Sequence, residues 1–402
     1  MFSGQSDQPD DARVTIERLV SGGEGLGRLP DGRVVFVAGA LPGEVVDVHI
    51  VQRKRDFARA KVRALVEPSP ERHGPPCPAV ALGCGGCDWQ QARFAAHLDW
   101  KVGLVREALR RTAKMPDVEV HRGASVPEWG YRTSMRFAIG DGGRLGLRMP
   151  RSREVVVLDD CPIAHPQLAS LMRELEVPGA EEVSIRVGVA SGESSVWWTP
   201  EYAWAKGLPR SAARGPRARV HETVAGVSLQ VSALSFFQSG PAAAELLVHT
   251  VREVAGEALT TARVVIDAYG GVGLFAAAAV PADTHVMLVE GSASAVRDAV
   301  VNLADRSAEV VCSPLEQWQP IAADVVIADP ARTGLGGEAV TRLAACGAGT
   351  LILVSCDPVA MARDSASLVR AGYRLDHAVA LDLFPQTHHV EVVSRFVREA
   401  AT

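Results

Sequence analysis

The chain has 402 residues, 47% of them hydrophobic, and a formal net charge of -5. That length predicts two or three domains with well-filled cores, and the charge excludes a globally basic nucleic-acid binder, so any RNA contact must come from a local basic surface. No apolar run approaches the roughly 20 residues of a membrane helix, residues 1–11 are too acidic for a signal peptide, and seven cysteines without an export signal argue for metal or catalytic thiols over disulfides.

A cytoplasmic chain with a disordered tip over residues 1–12 is therefore expected. From residue 13 to 67 short alternating segments, RVTIERLV, GGEGLGRLPDG, RVVFVAG, GEVVDVHIVQ and ARAKVRALVE, predict five strands closing into a small OB-type barrel. Arg53, Lys54, Arg55, Arg59, Lys61 and Arg63 stand against a single acid, Asp56. Basic residues also guard strand edges, but six within one strand length favour RNA phosphates. With its GGEGLGR and LPGEVV stretches the block resembles a TRAM domain, the small RNA-binding barrel of tRNA- and rRNA-modifying enzymes.

The proline-rich stretch 68–76 marks the first boundary, and a central domain is expected over 68–233. It opens with CPAVALGCGGCDWQ, which holds Cys77, Cys84 and Cys87; Cys161 follows in LDDCPIAHP. Zinc sites usually present two close pairs of thiols, and here only Cys84 and Cys87 form one. A three-plus-one set with Gly85 and Gly86 in the tight turn suits a [4Fe-4S] cluster better. Helical periodicity covers 91–114, after which short strands from 119 to 231 predict a mostly antiparallel domain. The basic loop SAARGPRAR, 211–219, carries no further signal.

The last domain is expected over 234–402. RVVIDAYGGVGLFAAAA reads as strand, glycine-rich turn and helix, and Glu290 ends the next strand about 20 residues on, where an acid can hold ribose hydroxyls. GGVGLF does not fit the GxGxxG of dinucleotide sites. S-adenosylmethionine, a nucleoside without phosphates, fits better. Further strands end in DVVIADPAR and LILVSCDP, so Asp329 and Cys356 close consecutive strands and face one crevice; seven strands with an antiparallel ending predict an α/β class I, Rossmann-like methyltransferase sheet. Cys356 precedes a helix start, where the dipole favours thiolate, although a buried inert thiol is the commoner fate of cysteine. A cysteine beside a methyl donor has one specific use. Its addition to carbon six of a pyrimidine makes carbon five nucleophilic, and a base must afterwards remove the hydrogen on carbon five. DLFPQTHHVEVV offers Glu391 as that base, with His388 and His389 as rivals.

DPARTGLG, SCDPVAMARD and DLFPQTHHVEVV, together with SFFQ, resemble the signature stretches of the RNA 5-methyluridine methyltransferases, and with the barrel and four cysteines the chain looks most like the iron–sulfur rRNA (uracil-5-)-methyltransferases. The resemblance implies that Cys356 is the nucleophile and Glu391 the base. It implies a donor pocket of Gln238, Tyr269, Gly271, Glu290 and Asp329, substrate contacts from Phe236 and Arg332, and a cluster on Cys77, Cys84, Cys87 and Cys161. A monomer acting on RNA away from membranes is expected, with ribosomal RNA as first substrate; tRNA, or an idle RNA-binding protein, is the alternative. The chain departs from the family pattern at Gly270–Gly271, at Ser239–Gly240 and at Asp357, whose charge beside the thiol opposes the helix dipole.

Overall fold

The computed structural model describes residues 11–399; the expected disordered tip falls largely outside them, while Asp11 and Ala12 already pair with His49 and Val48. Strands Asp11–Leu19, Gly25–Arg28, Val34–Ala38, Val45–Arg53 and Phe57–Glu67 close into a barrel. Val14, Ile16, Val35, Val37, Val46, Val48, Ala58 and Ala60 alternate into its core, because side chains on a strand repeat with period two. Closure brings backbones into contact at Gly27, where a Cβ would lie 2.4 Å from Val14 and 2.5 Å from the Thr15 carbonyl. The proline-rich stretch after the barrel is pinned rather than loose. Glu44, fully buried, accepts from the amides of Leu41 (2.8 Å) and Ser69 (3.2 Å) and from the Arg72 guanidinium (2.8 Å).

The central sheet has six strands in the order Ala213–Arg214, Ser194–Thr199, Glu182–Val187, Ser134–Ile139, Leu145–Arg148 and Val155–Val157, antiparallel throughout except for the first pair. A separate two-stranded ribbon, Arg219–Val224 with Val227–Ser232, follows.

The large sheet holds eight strands: β1 (Val120–Ser125), β2 (Val264–Ala268), β3 (His285–Glu290), β4 (Ala308–Cys312), β5 (Val325–Ala328), β6 (Thr350–Ser355), β7 (Tyr373–Asp382) and β8 (Glu391–Arg398). Their spatial order is β4-β3-β2-β5-β6-β8-β7-β1, with β4 to β6 parallel and β8 antiparallel to both neighbours. The order of strands reverses between β2 and β5, and the crevice beyond the carboxyl ends of such a pair is where open α/β sheets bind ligands.

One strand departs from the expected seven-strand sheet. β1 precedes the central strands in sequence yet pairs in parallel with β7, Val120 opposite Ala378. The helix Phe94–Ala108 carries it there, burying Val102 and Val105 in the core that holds Ile266, Leu351 and Phe396. Only Val120 of β1 is fully buried, so its sequence lacks the continuous apolar run that marks an inner parallel strand.

Candidate active site

Cys356 follows β6 directly, and Glu391 begins β8. Ser355 and Val392 are paired across these antiparallel strands, so Cys356 and Glu391 face each other one step beyond. Glu391 is 3% exposed and Cys356 half-buried. Burial, followed by the negative charges of Glu391 and Asp329, pushes the thiol up to about 12; the Arg332 guanidinium acts in the opposite direction. Burial and then Asp329 hold Glu391 well above the usual carboxylate range, again against Arg332. In the free protein the thiol is therefore protonated, contrary to the thiolate expected from the helix dipole. Desolvation and two carboxylates outweigh one helix end.

Asp357 does not act as its sequence position suggests. Its carboxylate turns onto the helix Pro358–Arg370, where one oxygen accepts from the amides of Val359 (2.9 Å) and Ala360 (2.8 Å). The charge is spent on capping, and it is absent from the forces that shift the thiol. Asp364 on the same helix accepts from the amides of Leu335 (2.7 Å) and Gly336 (3.3 Å), fixing the DPARTGLGG loop that carries Arg332. Arg332 is exposed, and its charge acts on Cys356, Glu391 and His389 together.

The remaining residues divide. Gln238 is buried and donates to Asp329 at 3.5 Å, which brings SFFQ against the end of β5. The Gly271 amide donates to Glu290 at 3.0 Å, and the Ser292 amide to the other oxygen at 2.6 Å. Gly270 allows the turn to lie against the sheet, since a Cβ would come 2.6 Å from Leu288. Tyr269 adopts a left-handed φ of 59°, uncommon for an aromatic residue and frequent where backbone strain accompanies a site. Its phenol is raised by burial and by Glu316 and Asp364. Phe236 is 73% exposed, at the rim. His389, a rival base, is held down to about 3 by burial, by His388 and by Arg332. His388 is committed to Asp88, which accepts from its backbone amide at 3.0 Å and faces its ring.

Three residues missed in the sequence matter here. Asp267, fully buried under the glycine turn, accepts from the Ala276 amide at 3.0 Å with its other oxygen unpartnered, and burial lifts it to about 7. The acid in DAYGG was its available signal. Lys101, also fully buried, donates to Asp382 at 2.5 Å and to the Phe384 carbonyl at 3.1 Å, at the root of the loop that leads to Glu391. Nothing in the sequence pairs residues so far apart.

Cys77, Cys84, Cys87 and Cys161 line one small pocket, of about 20 Å³, with Gly86 and Ile163. Among the described residues no three His, Cys, Asp or Glu side chains are gathered as a single metal ion would require. The four thiols instead stand around the walls, and burial raises Cys87 to about 12 and Cys161 to about 11. Gly85 is required in the turn, since a Cβ would lie 2.5 Å from the Arg148 carbonyl, whereas at Gly86 a Cβ would meet the tip of the Leu147 side chain at 2.7 Å. Four thiols lining one pocket are the type of donor set that thiolate-bound metal groups use.

Residues 11–62 match the TRAM domain family. An uncharacterized RNA methyltransferase of Corynebacterium efficiens is 33% identical over 420 residues, covering 98% of this chain and 96% of its own. One of Streptomyces avermitilis is 32% identical, covering 96% and 98%. The solved Pyrococcus abyssi tRNA (uracil-54, C5)-methyltransferase in complex with S-adenosyl-L-homocysteine shares the fold, with a TM-score of 0.74 at 24% identity over 96% of this chain and 99% of that one. No helix among the described residues is long and apolar enough to cross a membrane. With sequence matches that run almost the full length of both proteins, and with a TRAM barrel at the front, the chain belongs to the RNA methyltransferase family and is an RNA-methylating enzyme.

Proposed function

We propose that the enzyme methylates carbon five of a uridine in structured RNA. The observation that carries this reading is Cys356 and Glu391 facing each other across β6 and β8 beside Asp329, at the carboxyl ends of the strands. S-adenosylmethionine, when bound, supplies the methyl group and a positive sulfonium. Gln238, Gly271, Glu290 and Asp329 would hold it, with Tyr269 shaping the turn.

The half-buried Cys356 thiol passes its proton to solvent as its sulfur bonds to carbon six of the uracil. The ring becomes an enolate whose oxygen Arg332 is placed to stabilise, and carbon five takes the methyl group. Glu391, as carboxylate, removes the hydrogen left on carbon five; the electrons of that bond re-form the ring double bond and expel the Cys356 thiolate. An elevated proton affinity at Glu391 suits it to this step. A base stacked in a helix hides both faces, so the uridine has to be unpaired or flipped out, with Phe236 compensating the lost stacking.

The four cysteines would hold a [4Fe-4S] cluster in a structural role, since no second redox centre is visible among the described residues. Ribosomal RNA is the first substrate proposed. The likeness to an enzyme named for uracil 54 of tRNA supports tRNA as the second. Incubating total RNA with labelled donor and mapping the modified base decides between them. RNA carrying 5-fluorouridine tests the chemistry: it should stall as a covalent protein adduct. Cys356→Ala should form none while still binding S-adenosylhomocysteine, and Glu391→Gln should accumulate adduct on ordinary RNA. Adduct formation by Cys356→Ala would remove this mechanism.

A further inference from the structure

The stretch from residue 202 to 219 on the central domain carries Lys206, Arg210, Arg214, Arg217 and Arg219 and no acidic residue, in a chain whose net charge is -5. Lys206 pairs with Glu176 at 3.1 Å, and Arg219 donates to Gln230 at 3.2 Å. Arg210, Arg214 and Arg217 are exposed and have no side-chain partner among the described residues. Just before them in the chain, Tyr202 is 88% exposed and Trp204 60% exposed, the two most exposed rings of the central domain.

This segment is held in place. Trp198 donates its indole N–H to the Ala203 carbonyl at 2.9 Å, between the two exposed rings. Lys206 and Glu176 exchange backbone hydrogen bonds at 2.8 and 3.0 Å, and Gly215 donates to Val196 at 3.0 Å, extending the edge strand Ala213–Arg214. An arginine on an edge strand guards against aggregation, which accounts for Arg214. It does not account for two large rings presented to solvent on a fixed backbone. The segment also ends beside the site. The Ala233 amide donates to the Ala218 carbonyl at 2.7 Å, three residues before the exposed ring of Phe236.

Exposed rings followed by uncompensated arginines form the combination that binds unpaired nucleic acid: rings take any base face, and guanidinium groups take phosphate. We propose that residues 202–219 are a second RNA-binding surface, separate from the barrel, on which unpaired nucleotides flanking the target uridine stack on Tyr202 and Trp204 while their phosphates meet Arg210, Arg214 and Arg217. The proposal rests on the target being a uridine in RNA, and it assigns that RNA a single-stranded flank.

Two variants of the full-length enzyme test it: Tyr202→Ala with Trp204→Ala, and Arg210→Ala with Arg214→Ala and Arg217→Ala. Binding is measured by fluorescence anisotropy against salt, using a long transcript with single-stranded flanks and a minimal hairpin, each containing the unmodified target uridine. The ring variant should bind the long transcript at least about thirtyfold more weakly, from about 1 kcal/mol or more per stacked base. The arginine variant should lose about two units from the slope of log affinity against log salt, roughly 0.7 per phosphate contact. In both, KM for the long transcript should rise toward that for the hairpin, with S-adenosylhomocysteine affinity and circular dichroism as in the parent. Parental affinity and salt slope in both variants overturns the proposal, as does an equal loss on the two RNAs. Failure of the parent enzyme to form 5-methyluridine in either RNA would instead overturn the functional reading.

Discussion

Lys101→Met leaves Asp382 charged and unpaired in a fully buried position. Lys101 Nζ donates to Asp382 at 2.5 Å and to the Phe384 carbonyl at 3.1 Å; both side chains have no exposed surface, and the second Asp382 oxygen has no partner at all. Breaking one member of such a pair costs about 3–5 kcal/mol, because the remaining charge keeps its full desolvation penalty. Against a typical total of about 5–15 kcal/mol, that is a large fraction of the stability. Burial already raises the Asp382 carboxyl with Lys101 present. Without the ammonium it rises further, so a group with a raised folded pKa loses stability as pH climbs. The deficit of Lys101→Met should therefore be largest near pH 8 and shrink as pH falls toward about 4, the ordinary aspartate range, below which Asp382 is protonated in both folded and unfolded states. Adding Asp382→Asn removes the stranded charge and should recover most of the loss. Urea unfolding of the three variants at pH 5 and pH 8 measures both effects. A loss under about 1 kcal/mol for Lys101→Met at pH 8, or a double variant no more stable than the single one, would refute the reasoning.

Asp267, Asp329 and Glu222 are each lifted to about 7, by burial first. Their folded pKa values exceed the unfolded ones, so the stability they contribute is full below about pH 4 and lost as pH rises through 7; unfolding midpoints should be higher at pH 5.5 than at pH 8, and Asp267→Asn should narrow the difference. Asp357→Ala removes the cap on two amides of the nucleophile helix and should cost about 1 kcal/mol in urea unfolding, with methyl transfer lowered through a displaced thiol. Gly85→Ala sets a Cβ 2.5 Å from the Arg148 carbonyl and should lower bound iron in the purified protein as Cys87→Ser does; iron content at the parental level in both would remove these residues from the cluster.

The sequence alone was enough for the barrel, the glycine turn and the two strand ends that bear Asp329 and Cys356, since each depends on local pattern: alternation, turn residues, and apolar runs followed by a helix start. It could not place β1, whose single buried valine carries no mark of an inner strand and which reaches the large sheet only because the preceding helix packs there. Nor could it decide charge states. Cys356 stands at a helix start, as its neighbours in the chain foretell, but Glu391 and Asp329 arrive from β8 and β5, and their fields with burial make it a thiol. Asp357, which by position alone opposes a thiolate, is turned away by two amides of its own helix. Residue spacing along a strand or helix is a property of the chain. Desolvation and the meeting of charges 27 and 35 residues apart belong to the packed molecule, and there the site acquires its chemistry.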